Sequence, residues 1–402
     1  MVLSRTTRVN LLIGNGHFLS HFYVLCLPPL FLAWQKSFGV SFAELGLTVA
    51  LMSGTTAILQ TPVGFLVDRF GARVFLVGGT LLMCLSMAAM GLATSFWQIL
   101  LLATVSGIGN SVIHPCDYAI ISGSVDHDRM GASFALHTFS GNLGFASGPP
   151  VMALLAVTIG WRASLSLVGL VGIPVVLAIL LQSAILKDQV RQEPELGGEI
   201  ISGRALLFSR TMLLFFGFYL LGSMAGAGVQ AWLITVLHAV KGMSLETGSA
   251  ALTGYMAGGT CGVLVGGWFA DTYRKHVQGF AVGLTIVSAV LVLVVAILLL
   301  PVAAVIALMF VSGAALGASR TPRDVMLKDA SPPGQIGKVF GFVSAGLPLG
   351  SALTPVPFGA LIDNHHPELV LILVAALLLG SLLCMGSARA SARADVVAVA
   401  AE

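Results

Sequence analysis

Four of the nine histidines, His17, His21, His114 and His137, sit inside long apolar stretches, and so does Asp117. Ionisable groups are expensive in apolar surroundings, so by default they are there to bind or move something. Histidine changes charge near neutral pH, and a buried imidazole can therefore link proton uptake to ligand binding. A carboxylate beside it can accept the transported proton or hold the ring in one tautomer. His17 and His21 are spaced i, i+4 and share one helix face. Asn110, His114 and Asp117 are spaced i, i+4, i+7 and share another. Asp117 and His114, at i, i+3, are expected to interact. His137 fits a hydrogen-bonded packing role as well as a place in the site. Read as ligands, His17, His21, His114 and Asp117 also match a divalent metal. No metal site is assigned, because no His/Asp-rich loop and no group from the second half of the chain completes the set. The five cysteines are scattered through apolar runs without CxxC spacing and read as small buried hydrophobes. There is no GxxxxGK[ST] loop and no HExxH helix, so ATP-driven and zinc-hydrolase chemistry have no motif here. The chain is not read as an enzyme, and no cofactor is expected.

The elements that hold these residues follow from composition. Of 402 residues, 57% are hydrophobic and only 9% are charged, against about 25% charged in a soluble domain. That surface cannot be hidden from water, which excludes a soluble enzyme, a nucleic-acid binder and a disordered chain. At about 20 residues per span there is room for 11 or 12 membrane helices. Apolar runs and breaks place twelve, at 10–33, 43–67, 74–94, 97–122, 131–158, 163–186, 210–238, 246–270, 277–299, 302–320, 338–361 and 367–388. Pro301 marks an outer turn between the ninth and tenth, which otherwise form one run too long for a single span. The first run has no small-residue cleavage site and reads as the first helix, not a signal peptide. The fold class is an all-α membrane protein with a lipid bilayer as its surroundings.

With the N-terminus in the cytosol, 17 Lys and Arg fall on the inner side, and only Lys36, Arg162 and Lys241 on the outer. This positive-inside asymmetry predicts both termini in the cytosol of a plasma (inner) membrane. At 1.5 Å per residue, His17 lies about 10 Å and His21 about 16 Å into the first helix. His114 lies about 12 Å deep, Asp117 about 7 Å and His137 about 9 Å. The five groups thus form one belt between the inner leaflet and the midplane. The second half offers no matching buried charge. Tyr219, Ser223, Tyr255 and Gln230 are expected to help form the apolar, aromatic wall that a cavity needs for an amphipathic molecule, and Trp232 an interfacial anchor.

The polar segment 187–209 divides the chain into bundles at 1–186 and 210–402. The halves repeat. Gly64-x-x-x-Asp68 recurs as Gly267-x-x-x-Asp271, with Arg274 following, and Pro115-x-Asp117 recurs as Pro322-x-Asp324. Two pseudo-symmetric six-helix bundles are a transporter architecture with the path between halves.

Gly64-x-Leu66-x-Asp68-Arg69-x-Gly71-x-Arg73 resembles the signature loop of the major facilitator superfamily, and the resemblance covers the whole chain. It implies that Asp68, Arg69 and Arg73 form a cytosolic gate, with Gly64 letting helices 2 and 11 approach and Gly267, Asp271 and Arg274 as the second copy. It also implies that helices 1 and 4 line a central cavity. Asp117 then has two readings, as a proton acceptor in the site or as a gate partner of Arg69 or Arg73. Gly107-Ile-Gly109-Asn110, His114-Pro115 and Gly141-Asn142-Leu-Gly144 are similar to the fosmidomycin-resistance type of exporter. Gly144-x-x-x-Gly148-Pro149 resembles the superfamily's antiporter motif, although Met152 and Ala153 replace its trailing glycines and Ala103 stands near the usual helix-4 arginine. The implied function is secondary transport: efflux of a small anionic or amphipathic molecule coupled to protons, by a chain working as a monomer. Proton-symport import of a carboxylate and divalent-metal transport are the rivals. No nucleic-acid partner is expected.

Overall fold

The structure, a computed structural model, describes residues 4–125, 130–187, 208–330, 339 and 342–399. Most of the expected 187–209 linker, and the side chains of Asp68 and Asp271, lie outside the described residues. Among those residues the protein is helical, with no strand.

Ten segments are long and apolar enough to cross a bilayer. One of them, Leu136–Leu181, has 46 residues, about 69 Å as a helix, roughly twice the ~30 Å hydrocarbon core. Gly160 splits it with a backbone only glycine tolerates (φ 78°, ψ 156°). A further helix, Leu245–Thr272, is rich in glycine and as long as the others. The result is twelve transmembrane helices in two six-helix bundles. They are α1 (Arg5–Phe38), α2 (Phe42–Phe70), α3 (Ala72–Met90), α4 (Phe96–Ile121), α5 (130–159), α6 (161–181), α7 (Arg210–Lys241), α8 (Leu245–Thr272), α9 (Val277–Ile297), α10 (Val302–Asp329), α11 (Phe342–Asp363) and α12 (Glu368–Val399).

The ends have local causes. Ser41 and Glu44 form a capping box at the start of α2. Gly39 and Gly242 end α1 and α7 in the left-handed region (φ 66° and 62°). Pro301 stands in the α9–α10 turn, as the sequence predicts. α1 bends through a 3-10 turn at Pro28–Leu30, and α11 breaks at Thr354 before Pro355. One boundary differs from expectation. α10 does not stop at residue 320 but runs through Pro322 to Asp329, which keeps Arg320 and Arg323 on the helix.

In the first half α1 packs on α5, and α4 on α2 and α3. In the second, α8 packs on α10 and α7 on α12. The halves meet where α2 lies on α11 and α5 on α8. One end of this interface is sealed. The Asp363 carboxylate at the end of α11 accepts from the Phe42 and Ala43 amides at the start of α2, at 2.6 and 2.8 Å. A Cβ on Gly46 would sit 2.6 Å from the Pro355 carbonyl oxygen. Trp232 is fully buried here, donating to the Pro355 carbonyl at 2.9 Å. It is packing between the halves and not the interfacial anchor expected. At the other end, a Cβ on Gly64 meets no described atom within 4 Å. Among the described residues, the close contact of α2 with α11 lies at Gly46 and Gly359.

Candidate functional site

The histidine belt is assembled where α1, α4 and α5 touch. Small residues make this possible. A Cβ on Gly141 would sit 2.5 Å from His17 Cε1, and one on Gly148 would sit 3.0 Å from the Phe22 carbonyl oxygen. Gly144 likewise faces the α1 backbone, 3.0 Å from the Phe22 nitrogen. The antiporter-like glycines are thus the contact face of α5 on α1. Pro149 is buried within α5 beside them.

All four imidazoles lie within one cluster. His17 stacks on His137, with ring centroids 3.6 Å apart and planes 12° from parallel. His17 lies 4.4 Å from His21 and 5.1 Å from His114, and His21 lies 5.9 Å from His114. His17 Nδ1 makes a 2.7 Å hydrogen bond to the His137 carbonyl. A carbonyl has no proton to give, so the His17 proton sits on Nδ1 and Nε2 presents a lone pair. His137 Nε2 meets Asp117 Oδ2 at 2.9 Å, with both side chains buried.

This pairing corrects the expectation for Asp117. Its partner is His137 from α5, not His114 on its own helix. Asn110 turns to α2, donating to Thr56 Oγ1 at 3.3 Å. Among the described residues, Asp117 Oδ1 has no hydrogen-bond partner, nor do His17 Nε2, His21 Nδ1 and His114 Nδ1. A buried carboxylate and imidazole in contact can hold one proton between them, as an ion pair or as two neutral groups. A proton is the natural currency of such a pair.

A small pocket lies between the halves. Asn142 and Phe145 of α5 line one wall; Gln230, Tyr255, Met256 and Arg320 line the other. Phe145 also packs edge-on against His21 at 4.2 Å, linking cavity to belt. The second half does bring a charge to the pocket, Arg320, which the sequence reading did not place there. Its side chain is exposed, but into the cavity. Among the described residues no carboxylate lies within ion-pair distance of it, whereas Arg323 is paired with Asp324 at 3.0 Å. A signal was present in the sequence. The repeat offset of 206–207 residues sets Arg320 opposite Ile113 and His114.

Tyr219 is not in the cavity wall. It donates to Asp324 at 2.6 Å and lies under the Arg323 guanidinium, 3.9 Å from the ring centroid. Of the gate residues, Arg69 is exposed over Phe70 at 5.2 Å, and Arg274 forms an exposed ion pair with Asp329 at 2.9 Å.

The fold, the repeat and the cavity between halves meet a direct comparison. The Major Facilitator Superfamily family model matches residues 13–252 and 241–395. The chain belongs to the Major Facilitator Superfamily. Among curated relatives of this facilitator is the probable L-galactonate transporter of Escherichia coli, 26% identical over 259 residues, which cover 60% of this chain and 56% of that protein. The membrane sensor protein UhpC of E. coli is 24% identical over 357 residues, covering 81% and 79%. The fosmidomycin resistance protein of E. coli is 26% identical over 137 residues, covering 34% and 33%. The chain thus spans about half the length of the first of these. In fold it is similar to a bacterial homologue of the lysosomal transporter Spinster in an inward-facing, occupied conformation, with TM-score 0.79, 14% identity and 98% of each chain covered. Its family and its spans make the protein an integral membrane protein.

Proposed function

We propose that this facilitator exports a small organic anion in exchange for protons by alternating access. The observation that carries the reading is Arg320. A guanidinium held in a cavity between the halves, with no carboxylate partner among the described residues, is a binding group for a carboxylate or similar anion. Asn142, Gln230 and Tyr255 add hydrogen-bonding groups around it, and Phe145 and Met256 add apolar walls.

Protons enter on the opposite wall. The Asp117–His137 pair takes the proton, and the stacked His17 and the nearby His21 and His114 carry its charge toward the cavity. Anion and proton then compete for one electrostatic environment, which links their binding. With the N-terminus in the cytosol, the end sealed by Asp363 is the outer one and the state is inward-facing. Asp68, Arg69, Gly71 and Arg73, with Gly267, Asp271 and Arg274, then act as the inner gate that closes when the halves rock.

Export is supported by the Gly144/Gly148/Pro149 element and by the name of the fosmidomycin resistance protein. Import by proton symport is the second reading, favoured by Arg320 together with the name of the L-galactonate transporter. The direction of the pH gradient that drives accumulation separates them.

Arg320→Gln tests the anchor. A hydrogen-bonded charge contributes about 1.5–3 kcal/mol, so binding of labelled organic anions to the purified protein should weaken about 10- to 100-fold. Arg320→Lys should recover part of it. Unchanged affinity in a folded Arg320→Gln protein removes the anion anchor and the reading with it.

A further inference from the structure

Three buried imidazole nitrogens in the belt, His17 Nε2, His21 Nδ1 and His114 Nδ1, have no hydrogen-bond partner among the described residues. One ligand atom from each of these residues can be chosen so that all three lie within 4.8 Å of one another. We propose that His17, His21 and His114 form a three-histidine site for a divalent d-block cation of the Zn²⁺ or Co²⁺ kind.

The donor set selects the ion. Three imidazoles without a carboxylate suit zinc, cobalt or nickel and not magnesium or calcium, which require oxygen ligands. Asp117 and His137, which bond each other at 2.9 Å, do not belong to the group of ligand atoms that lie within 4.8 Å of one another. The i, i+4 pair on α1 brings two donors to one helix face, and α4 supplies the third. The outer contacts match as well. His17 Nδ1 bonds to the His137 carbonyl at 2.7 Å, which fixes the proton on Nδ1 and turns Nε2 into the donor atom. A metal-ligating histidine characteristically makes such a bond. His17 is 3% exposed, so its Nε2 lone pair has no access to bulk water.

Zn–N bonds of about 2.0–2.1 Å in a tetrahedron place ligand nitrogens about 3.3–3.4 Å apart. The ligand atoms, within 4.8 Å of one another, must therefore close by up to about 1.5 Å, which side-chain rotations can supply. Three ligands leave a fourth position for water. Occupancy would tie α1 to α4 and take the lone pairs that protons otherwise use, so the ion should inhibit proton-coupled flux.

The inference rests on the cluster alone and holds whatever the cargo or direction of transport. Its test needs no transport. The full-length protein, without a polyhistidine tag and purified in detergent, is titrated with Co²⁺ and followed by visible absorption. The expected result is one equivalent of Co²⁺ with the intense d–d bands of a four- or five-coordinate centre, displaced by Zn²⁺. His17→Gln, His21→Gln and His114→Gln should each weaken binding more than about 100-fold, at least the loss that follows removal of an outer-contact group. A double variant at the exposed pair, His365→Gln with His366→Gln, should keep the bands and so exclude a surface site. Only weak octahedral bands in the wild type, or bands that persist in the belt variants, would overturn the site. If one variant fails to fold, the other two and the wild-type spectrum still decide.

Discussion

Asp117 has two carboxylate oxygens and one partner, and that imbalance sets the chemistry of the belt. An ionised carboxylate without full hydrogen bonding is costly at membrane depth, so its charge state is tied to that of His137. Asp117→Asn keeps a hydrogen-bonding side chain but cannot ionise. It should flatten the pH profile of transport across the range where histidines titrate, with substrate affinity held within a few-fold. A pH profile identical to wild type in pH-jump flux measurements would move the proton elsewhere. His114→Gln should alter coupling less, since His114 does not touch Asp117 as the sequence suggests. The five ionisable groups of the belt were legible because charge inside an apolar run is conspicuous. The pairing was not, because spacing along one helix points to His114 while the tertiary packing of α5 on α1 brings His137. Arg320 escaped for a related reason. A proline two residues later looks like a helix stop, yet α10 continues through it, carrying the guanidinium along the helix into the cavity.

At the scale of elements, glycine decides how closely the helices approach. In membranes small residues replace the hydrophobic effect as the means of helix association. On α8, Gly258, Gly262 and Gly266 recur every four residues and face the backbone of α10 at Phe310, Ala314 and Ala318. A Cβ on Gly262 would sit 2.8 Å from the Ala318 nitrogen, and backbone cannot yield as a side chain does. Gly262→Ala should therefore destabilise by about 1–3 kcal/mol, read as a lower unfolding midpoint in detergent. Gly279→Ala on α9, where no described atom lies within 4 Å, should be neutral or raise stability by about 0.5–1 kcal/mol. Equal effects of the two substitutions would show that the α8–α10 seam is not limited by backbone approach. Helix number and most boundaries were readable from apolar runs and from Gly160, Pro301 and Ser41. Which glycines touch backbone was not, because Gly64 and Gly359 look alike in sequence and only the packing separates them.

For the whole molecule, the two halves are held together unequally. The Asp363 carboxylate caps the α2 amides across the interface, and its charge also favours the positive end of that helix. At the opposite end, a Cβ on Gly64 would meet no described atom within 4 Å. Asp363→Ala removes two charged hydrogen bonds, worth about 1.5–3 kcal/mol each, from one state of a rocking equilibrium. It should raise labelling of single cysteines placed near Gly46 by at least tenfold, and unchanged labelling would show that the carboxylate does not hold that end shut. The repeat and the charge asymmetry made the two-bundle plan legible. The conformation was not, because both states use the same residues and differ only in which end is clasped.

The central claim is that an organic anion on Arg320 and a proton on the Asp117–His137 pair move in one obligatory cycle. The most direct measurement records both at once: labelled carboxylate flux and dye-reported proton flux in proteoliposomes, with a pH gradient imposed and the membrane potential clamped. The expected result is anion movement against its gradient, driven by protons moving the opposite way. Arg320→Gln should abolish both fluxes, and Asp117→Asn should leave anion exchange while removing the proton flux. Anion movement that continues at the same rate after the pH gradient is collapsed, or gradient-driven transport unaffected by Arg320→Gln, would contradict it.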